Sequence, residues 1–364
     1  MKFLFLSILL LAIFTTIAYC ENIKWYDATA LGVSGRSHIH DGYTRLTDDV
    51  LPKIKEEKMD MVYGLASHCA GLHVDFTTNA DKVTIRYEFN SANHMPHMPL
   101  TGSHGVDTYI KYNGKWMYFD TIYPAHDTVP NQKDVFIKGN CINLKDIEFL
   151  DFSINLPLYE GVKSMQIGIP EGAEITPIRY LDKKPIVVYG TSITQGGCAS
   201  RPGTCYTSIL RRAVDRDVYN LGFSGSGLLE HLMSEILSSY DPEIIIMDCS
   251  TNMAGFSDEE YTERYNYFYK TFRAKHPETP IILMEQPALG NYWAIRTDKD
   301  VEKGATLRNI YKNWKKHDKN VYIIHAKDLY GDDYEATVDT IHATDLGFYR
   351  MSKPVIKLVK QILK

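Results

Sequence analysis

The chain lacks a block of lysines and arginines and any excess of positive charge. Its 364 residues contain 40 Lys and Arg against 45 Asp and Glu, which gives a net charge of −5 and a pI near 6.2. Proteins that follow a phosphate backbone carry a basic patch or stripe, so nucleic acid is not expected as a partner. A hydrophobic share of 44% and a charged share of 23% likewise exclude a largely disordered or fibrous chain.

A second long hydrophobic run is also missing beyond the N-terminus. Residues 3–17 are almost wholly apolar, and Ala18 and Cys20 supply small residues at the positions that determine signal-peptide cleavage. We therefore predict that residues 1–20 are a signal peptide cleaved near Cys20 and that the protein is secreted or periplasmic. A membrane anchor is the rival, but the run is shorter than the ~20 apolar residues of a span. Lipidation of Cys20 is less favoured because Tyr19 is bulky for a lipoprotein motif.

Cysteine is scarce, and the cysteines beyond the predicted cleavage site form an odd set. They are Cys69, Cys141, Cys198, Cys205 and Cys249. Because an oxidising compartment permits disulfides and a Pro-Gly turn lies between Cys198 and Cys205, we predict a local disulfide between these two. Two free thiols are the alternative. Cys249 follows an apolar run and is expected to be a buried small hydrophobe.

Convincing helical periodicity is absent from residues 22–176. The segment 83–89 alternates apolar and polar residues strictly, which predicts a strand with one buried face. Asn113-Gly114 separates two β-rich stretches and is the dipeptide that a type I′ hairpin turn requires. This density of strands and turns predicts an antiparallel β-sandwich over residues 21–178.

The pattern changes after Pro177 to strands that alternate with helices. Five short apolar segments separate the helical stretches and are predicted strands: residues 185–189, 217–220, 243–248, 280–285 and 320–324. Such alternation predicts an α/β architecture, a flavodoxin-like doubly wound parallel sheet over residues 179–364. The length of the chain also favours two domains over one.

Polar residues follow these predicted strands, at the edge where open α/β sheets place their active sites. Ser192 follows the first strand on a glycine-rich turn, and Asp339 and His342 share a loop before the last helix. A serine nucleophile needs a base to take its proton and a carboxylate to orient that base. Glycine and asparagine amides after the second and third strands can donate to an oxyanion. By itself, the Gly190-Thr191-Ser192 segment is equally compatible with a turn that carries no chemistry.

Four segments together resemble the sequence blocks of the SGNH (GDSL) hydrolase superfamily, in the same order and with similar spacing. These segments are residues 190–196, 220–225, 250–252 and 339–342. The resemblance implies a serine esterase that needs neither a metal nor a cofactor. It also implies a role for each residue: Ser192 as nucleophile, His342 as base, Asp339 as the acid that orients it, and the Ser192 amide, the Gly225 amide and the Asn252 side chain as the oxyanion hole.

Some positions depart from the pattern of that superfamily. Thr191 stands where many members have Asp. Cys249 and Ser250 replace the glycine that commonly precedes the Thr-Asn pair, so the surroundings of Asn252 match least well. Asp345, which begins the last predicted helix, is expected to cap that helix rather than to join the triad.

The first half resembles the β-domain that precedes this hydrolase domain in one secreted bacterial subgroup. The resemblance lies in Gly105-Val106-Asp107-Thr108-Tyr109, which matches a Gly-x-Asp-x-Tyr signature. It implies a jelly-roll-like accessory module and a carbohydrate esterase, with loops of the module contacting sugar in a shared cleft. Tyr292 and Trp293, near the loop after the fourth predicted strand, are candidates for stacking on the sugar.

Several histidines raise the question of a metal site. They are His94, His97 and His104, with His38 and His40 upstream. No pair has the spacing of a helical or knuckle site, and companion cysteines are missing. Histidines on a polar loop surface explain the stretch better, so no metal is predicted.

The favoured function is a secreted serine esterase that removes O-acetyl or other short acyl groups from polysaccharide or oligosaccharide fragments through an acyl-enzyme. Its predicted partner is an acylated carbohydrate, with neither nucleic acid nor a stable membrane span involved. One alternative is a glycan-binding protein with a vestigial hydrolase domain. The other is a short-chain lipase or esterase on non-carbohydrate esters, although a long apolar lid segment is lacking.

Overall fold

The structure is a computed structural model, and it describes residues 22–37, 42–91, 94–124, 131–180, 182–295 and 298–364. The predicted signal peptide, residues 1–20, lies outside the described residues, as do His38 and His40. No helix in the described part of the chain is long and apolar enough to cross a membrane.

The described residues of the first half form two antiparallel sheets. The strands are β1 (Ile23–Asp27), β2 (His73–Thr78), β3 (Lys82–Phe89), β4 (Val106–Tyr112), β5 (Lys115–Ile122), β6 (Asn131–Ile137), β7 (Leu150–Asn155), β8 (Val162–Pro170) and β9 (Ile175–Pro177). One sheet has the order β1-β8-β3-β6, and the other has the order β5-β4-β7-β2-β9. Strands that are neighbours in either sheet run antiparallel.

Aromatic side chains join the two sheets face to face. Phe136 on β6 meets Phe152 on β7 edge-on, with ring centroids 5.3 Å apart, and Phe152 stacks on Phe76 of β2 at the same centroid distance. Val83 and Ile85 of β3 point into the same core and are fully buried, as the alternation of the segment 83–89 predicts. The predicted antiparallel β-sandwich is therefore confirmed.

Local features of this half differ in how well the sequence predicts them. The hairpin between β4 and β5 turns at Asn113 and Gly114 with φ values of 50° and 74°, as a type I′ turn requires. By contrast, four short helices were not expected: α1 (Ala28–Leu31), α2 (Leu51–Glu56), α3 (Asp60–Leu65) and α4 (Leu100–Ser103). Each has at most six residues, which is too short to produce a helical repeat in the sequence.

The second half is built on one parallel sheet with the order β11-β10-β12-β13-β14. Its strands are β10 (Ile186–Gly190), β11 (Val218–Gly222), β12 (Ile244–Asp248), β13 (Ile281–Met284) and β14 (Val321–Ile324). The first strand of this half, β10, is an inner strand. The second, β11, lies on one side of it, and β12, β13 and β14 follow in order on the other side. This is the flavodoxin-like strand order, so the predicted fold class is confirmed.

Helices cover both faces of this sheet. They are α5 (Ser192–Gln195), α6 (Tyr206–Val214), α7 (His231–Leu237), α8 (Asp258–Lys275), α9 (Tyr292–Ile295), α10 (Asp298–Lys315) and α11 (Asp345–Ile362). Val187 and Tyr189 of β10 belong to the core on one face, whereas Ile186 and Val188 belong to the core on the other. Burial on two faces explains why the predicted strands are continuous apolar runs without alternation.

Buried ion pairs connect the two halves. Arg211 Nη1 on α6 donates to Asp75 Oδ2 on β2 at 3.0 Å. Arg201 Nη1 donates to Asp107 Oδ2 on β4 at 2.7 Å. Both aspartate side chains are 0% exposed.

The division of the chain into domains at residues 21–178 and 179–364 stays a prediction.

The predicted disulfide between Cys198 and Cys205 is wrong, because both thiols are free and buried in this structure. Cys205 Sγ donates to the carbonyl of Pro202 at 3.3 Å and lies 3.2 Å from the hydroxyl of Ser208. The Cys205 thiol therefore has polar partners of its own. Cys249 is fully buried, as expected.

Candidate active site

Ser192 lies directly beyond the carboxyl end of β10, on a turn that requires glycine. At Gly190, a Cβ atom would lie 2.1 Å from Thr194 Oγ1 and 2.5 Å from the carbonyl oxygen of Asp248. Thr191 then caps α5 with its hydroxyl, which accepts a hydrogen bond from a backbone amide of the first turn. Ser192 is consequently the first residue of α5, at the sheet edge where α/β proteins carry their chemistry.

The structure brings Ser192, His342 and Asp339 into one hydrogen-bonded chain. Ser192 Oγ lies 2.8 Å from His342 Nε2. His342 Nδ1 lies 2.7 Å from Asp339 Oδ2. A carboxylate at Nδ1 favours the tautomer with its proton on Nδ1, which leaves Nε2 free to accept the serine proton. The three side chains can therefore move a proton from the hydroxyl to the imidazole.

A tight turn places Asp339 and His342 on the same side of their loop. Asp339 Oδ1 accepts the backbone amides of Ile341 at 3.1 Å and His342 at 2.8 Å. Thr340 adopts a left-handed conformation with φ of 77° between them. Partial burial raises the pKa of Asp339, but the hydrogen bonds from the His342 ring and from the two amides outweigh this, so its pKa lies below the ordinary value. The carboxylate is thus ionised at neutral pH.

The predicted oxyanion donors lie on the serine turn and on the loops after β11 and β12, the two strands that flank β10. In the described part of the chain, the backbone amides of Ser192 and Gly225 have no hydrogen-bond acceptor. Gly225 has φ of 67°, a left-handed conformation that glycine adopts readily. Asn252 Nδ2 donates to the carbonyl of Ser226 at 2.5 Å, which orients the amide group from the neighbouring loop. Because an amide nitrogen carries two protons, one remains for a further acceptor.

Comparisons with known protein families cover both halves of the chain. The family model described as GDSL-like Lipase/Acylhydrolase matches residues 183–360. A second, described as the N-terminus of SGNH_hydro-type esterases, matches residues 23–175. A solved structure from Bacteroides ovatus ATCC 8483, assigned as a GDSL-like lipase, is 31% identical, with 94% of this chain and 98% of that chain covered and a TM-score of 0.82. The chain belongs to the GDSL-like (SGNH) hydrolase family. It is an esterase by this membership.

More distant solved structures share the fold of this esterase. The salicylyl-acyltransferase SsfX3 from a tetracycline biosynthetic pathway is 16% identical, with 91% of this chain and 94% of that chain covered and a TM-score of 0.73. A family two carbohydrate esterase from Cellvibrio japonicus is also 16% identical, with coverage of 94% and 98% and a TM-score of 0.61. No curated protein matches the chain.

The β-sandwich half of the esterase supplies residues that the sequence analysis missed. Tyr159 Oη donates to the backbone carbonyl of Ser192 at 3.1 Å. The side chain of Met61 lies against Gly225, since a Cβ on this glycine would be 2.9 Å from Met61 Cε. Neither residue lies in a motif, and Tyr159 is one of 25 tyrosines. The place of both residues at the site follows from the packing of the two halves, which no local sequence pattern indicates.

The histidines of the first half are not all surface residues, which corrects their predicted placement. His104 is 2% exposed and lies 3.4 Å from a carboxylate oxygen of Glu160. His97 is half-buried, and its ring centroid lies 5.7 Å from that of His342. Segment 94–104 is therefore less exposed than predicted, because it folds back against the hydrolase half of the esterase.

The two candidate sugar-stacking residues follow a loop that is bonded to the base loop. Both are on α9, and Trp293 is 74% exposed. The loop just before α9 is held to the base loop by the amide of Gly290, which donates to the carbonyl of Thr340 at 2.8 Å. Tyr292 lines a surface cavity together with Tyr334. A sugar-binding role for Tyr292 and Trp293 stays a prediction.

Asp345 does not cap the last helix, contrary to expectation. Thr344 is the capping residue of α11, and its hydroxyl accepts the amide of Gly347 at 3.3 Å. The Asp345 carboxylate instead accepts the amide of Ser200 at 2.9 Å and the hydroxyl of Thr204 at 2.7 Å. It therefore holds the loop that follows the serine helix.

Proposed function

We propose that the protein is a serine esterase that removes O-acetyl or other short acyl groups from polysaccharide or oligosaccharide fragments through an acyl-enzyme intermediate. One observation carries this proposal, namely the chain of hydrogen bonds from Ser192 through His342 to Asp339. Serine, imidazole and carboxylate in this order are the groups that acyl transfer to a hydroxyl nucleophile requires.

Each residue has a defined role in the proposed reaction. Ser192 Oγ attacks the ester carbonyl while His342 Nε2 takes the serine proton, and Asp339 stabilises the imidazolium that results. His342 then gives the proton to the departing sugar hydroxyl, which leaves the acyl group on Ser192. A water molecule, deprotonated by the same imidazole, attacks the acyl-enzyme and releases the carboxylic acid.

Three donors would stabilise the negative oxygen that forms at each attack. They are the amides of Ser192 and Gly225 and the remaining proton of Asn252 Nδ2. Each such donor typically contributes about 3 kcal/mol to the transition state. The left-handed conformation of Gly225 supports its assignment, because the turn presents a backbone amide without a side chain in the way.

Two features near the site bear on a short acyl group and a carbohydrate alcohol as its substrate. Met61 Cε packs against Gly225, the proposed oxyanion donor. The exposed Trp293 follows the loop whose Gly290 amide donates to the base loop, and it offers an aromatic face on which a sugar can stack. The fold shared with the Cellvibrio japonicus family two carbohydrate esterase supports the same substrate class.

Secretion belongs to the proposal as well. It rests on the apolar segment 3–17 followed by Ala18 and Cys20. The mass of the mature protein exported from cells that express the full chain tests it, and the expected N-terminus is Glu21. A mature protein that retains residues 1–20 would contradict a cleaved signal peptide.

Acetate release from acetylated polysaccharides and oligosaccharides tests the catalytic proposal. Short- and long-chain nitrophenyl esters are measured in parallel, and Ser192→Ala serves as the matched inactive variant. We expect turnover of acetylated glycans and short esters that depends on Ser192. A preference for long acyl chains would exclude the short-acyl assignment. Sugar binding without turnover that depends on Ser192 would instead support a glycan-binding protein with a vestigial hydrolase domain.

A further inference from the structure

A histidine, a cysteine and the candidate base lie together at the edge of the active site. One nitrogen each of His97 and His342 and Sγ of Cys198 all lie within 4.8 Å of one another. The two imidazole rings have centroids 5.7 Å apart and are inclined by 48°. These three residues come from three separate segments: the loop before α4, the turn after α5 and the loop before α11.

These donor atoms suit one soft or borderline divalent cation. Imidazole nitrogen and thiolate sulfur are the usual ligands of zinc, at about 2.0–2.3 Å from the metal. Ligand atoms around a tetrahedral ion of that size lie roughly 3.5 Å apart, so closing the set requires movements of about 1 Å. Side-chain rotation alone can supply such movements. Water or the Ser192 hydroxyl can take the fourth position.

The hydrogen bond of His342 with Asp339 also fits a metal ligand. Asp339 Oδ2 holds His342 Nδ1 at 2.7 Å, which leaves Nε2 as the nitrogen that can face an ion. A histidine ligand whose other nitrogen donates to a carboxylate is the common arrangement at protein metal sites. Cys198 contributes a free thiol rather than half of a disulfide. Binding would release the proton of this thiol to solvent.

We propose that His97, Cys198 and His342 form an inhibitory binding site for a single divalent cation of the zinc class. The bound ion takes His342 Nε2, the nitrogen that otherwise faces Ser192 Oγ at 2.8 Å. The imidazole can then no longer accept the serine proton, so the enzyme is inactive until the ion leaves. Inhibition rests on the proposed function, because it needs His342 to act as base, whereas binding of the ion does not.

The site differs from the one that the histidine-rich stretch suggests. Of that stretch only His97 takes part, and its partners lie about 100 and 245 residues further along the chain. The proximity of His97 to the base therefore arises from the packing of the β-sandwich half against the hydrolase half. This arrangement makes the activity of the esterase sensitive to a metal ion that its chemistry does not use.

Metal binding is measured first, by a readout that does not depend on turnover. Cd²⁺ is titrated into the Ser192→Ala protein, and the near-ultraviolet absorption of a cadmium–thiolate bond is followed. We expect one equivalent of Cd²⁺ to produce this absorption, and we expect Cys198→Ser in the same background to lose it. Cys141→Ser is the matched control, because it removes a thiol elsewhere in the chain, and it should leave the signal unchanged. Absorption that survives Cys198→Ser would overturn the site.

Inhibition is then measured with Zn²⁺ in a chelator-free buffer on otherwise native enzyme. We expect loss of ester hydrolysis that a chelator reverses, and roughly tenfold or more additional zinc for half-inhibition of His97→Ala and of Cys198→Ser. His231→Ala, a surface histidine variant, should respond as the native enzyme does. Equal zinc sensitivity of all variants would overturn the proposal.

Failure of a variant to fold and failure of the proposed function can both be told apart from failure of the metal site. If Cys198→Ser fails to fold, as judged by circular dichroism, Cys198→Ala and His97→Ala replace it in the cadmium titration. If no ester is hydrolysed but the cadmium signal depends on Cys198 and His97, the proposed function fails while the metal site stands. If hydrolysis depends on Ser192 but no cadmium signal forms, the metal site fails while the function stands.

Discussion

Tyr159 Oη donates a hydrogen bond to the backbone carbonyl of Ser192, with 3.1 Å between the two oxygen atoms. Tyr159 follows β7 in the β-sandwich half, whereas Ser192 begins α5 in the hydrolase half. The same carbonyl also accepts the amides of Gly196 and Gly197. The phenol therefore adds a connection between the halves to the local hydrogen bonds of α5, and the position of the serine depends in part on the β-sandwich.

Replacement of Tyr159 by Phe should lower kcat by about fivefold with little change in KM. The ring stays in place, but a hydrogen bond of about 1 kcal/mol to the serine backbone is lost. Steady-state hydrolysis of a short nitrophenyl ester measures both constants. Tyr87→Phe is the matched control, since Tyr87 Oη donates to the carbonyl of His104 at 3.0 Å within the sandwich. Equal kcat values for the Tyr159→Phe and native enzymes would show that Tyr159 does not position the serine.

Replacement of Asp339 by Asn should reduce kcat by roughly 10³–10⁴ while the fold is retained. Asn Oδ1 can still accept the amides of Ile341 and His342, which turns its NH₂ group toward His342 Nδ1. Nδ1 must then accept a hydrogen bond from this amide, so the proton of the neutral ring lies on Nε2 and His342 faces Ser192 in the wrong tautomer. Single-turnover and steady-state kinetics measure the loss.

An exposed aspartate close in sequence provides the control for this change. Asp333 pairs with Arg350 on the surface, and Asp333→Asn should keep the native kcat. A loss of less than tenfold for Asp339→Asn would contradict the role of Asp339 in orienting His342. A thermal unfolding curve of each variant separates a change in chemistry from a change in folding.

The hydrolase half is largely predictable from sequence because its signals are local. Buried strands such as β10 are continuous apolar runs, and each of the five predicted strands overlaps a strand of the parallel sheet. Ser192, Asp339 and His342 could be named before the structure because parallel strands end at one sheet edge. The turn between Asp339 and His342 then determines which way both side chains point.

The remaining features depend on contacts between distant segments. Tyr159 and His97 reach the site only because the two halves pack together, and no spacing in the sequence encodes that packing. The separation of Cys198 and Cys205 in the sequence is compatible with a disulfide, but both thiols are free in the folded chain and Cys205 has polar partners of its own. The prediction that Asp345 caps the last helix was wrong because Thr344, one residue earlier, has the extended backbone that a capping residue needs.

Replacement of Asp107 by Asn should destabilise the fold by roughly 2–4 kcal/mol, because it leaves the Arg201 guanidinium without its buried carboxylate. Asp107 Oδ2 also accepts the amide of Gly203 at 2.9 Å, and Arg201 stacks over Tyr118 with 3.9 Å to the ring centroid. The aspartate of the Gly-x-Asp-x-Tyr signature thus joins the halves. Urea unfolding at neutral pH measures the loss.

A more exposed ion pair in the same sandwich is the control for Asp107. Asp120 lies 2.6 Å from Lys133, with side chains 27% and 36% exposed, and such pairs contribute at most about 1 kcal/mol. Asp120→Asn should therefore have a clearly smaller effect on the free energy of unfolding. Similar losses for the two variants would mean that the Asp107 pair does not join the halves any more strongly than a surface ion pair would.

Asp248, at the end of β12, should make the protein less stable as the pH rises from about 4 to about 6. Burial raises the pKa of Asp248 to about 6, although Thr194 and Tyr206 donate hydrogen bonds to its carboxylate. Between the unfolded and folded pKa values, the folded state holds a proton that the unfolded state has lost, so stability falls across this window and is constant above it. The full change in the free energy of unfolding amounts to roughly 3 kcal/mol.

The free energy of unfolding is measured in urea from pH 4 to pH 7 for the native protein and for Asp248→Asn, whose uncharged amide should abolish this contribution. Curves that stay parallel over the window would show that Asp248 ionises in the folded protein with its ordinary pKa.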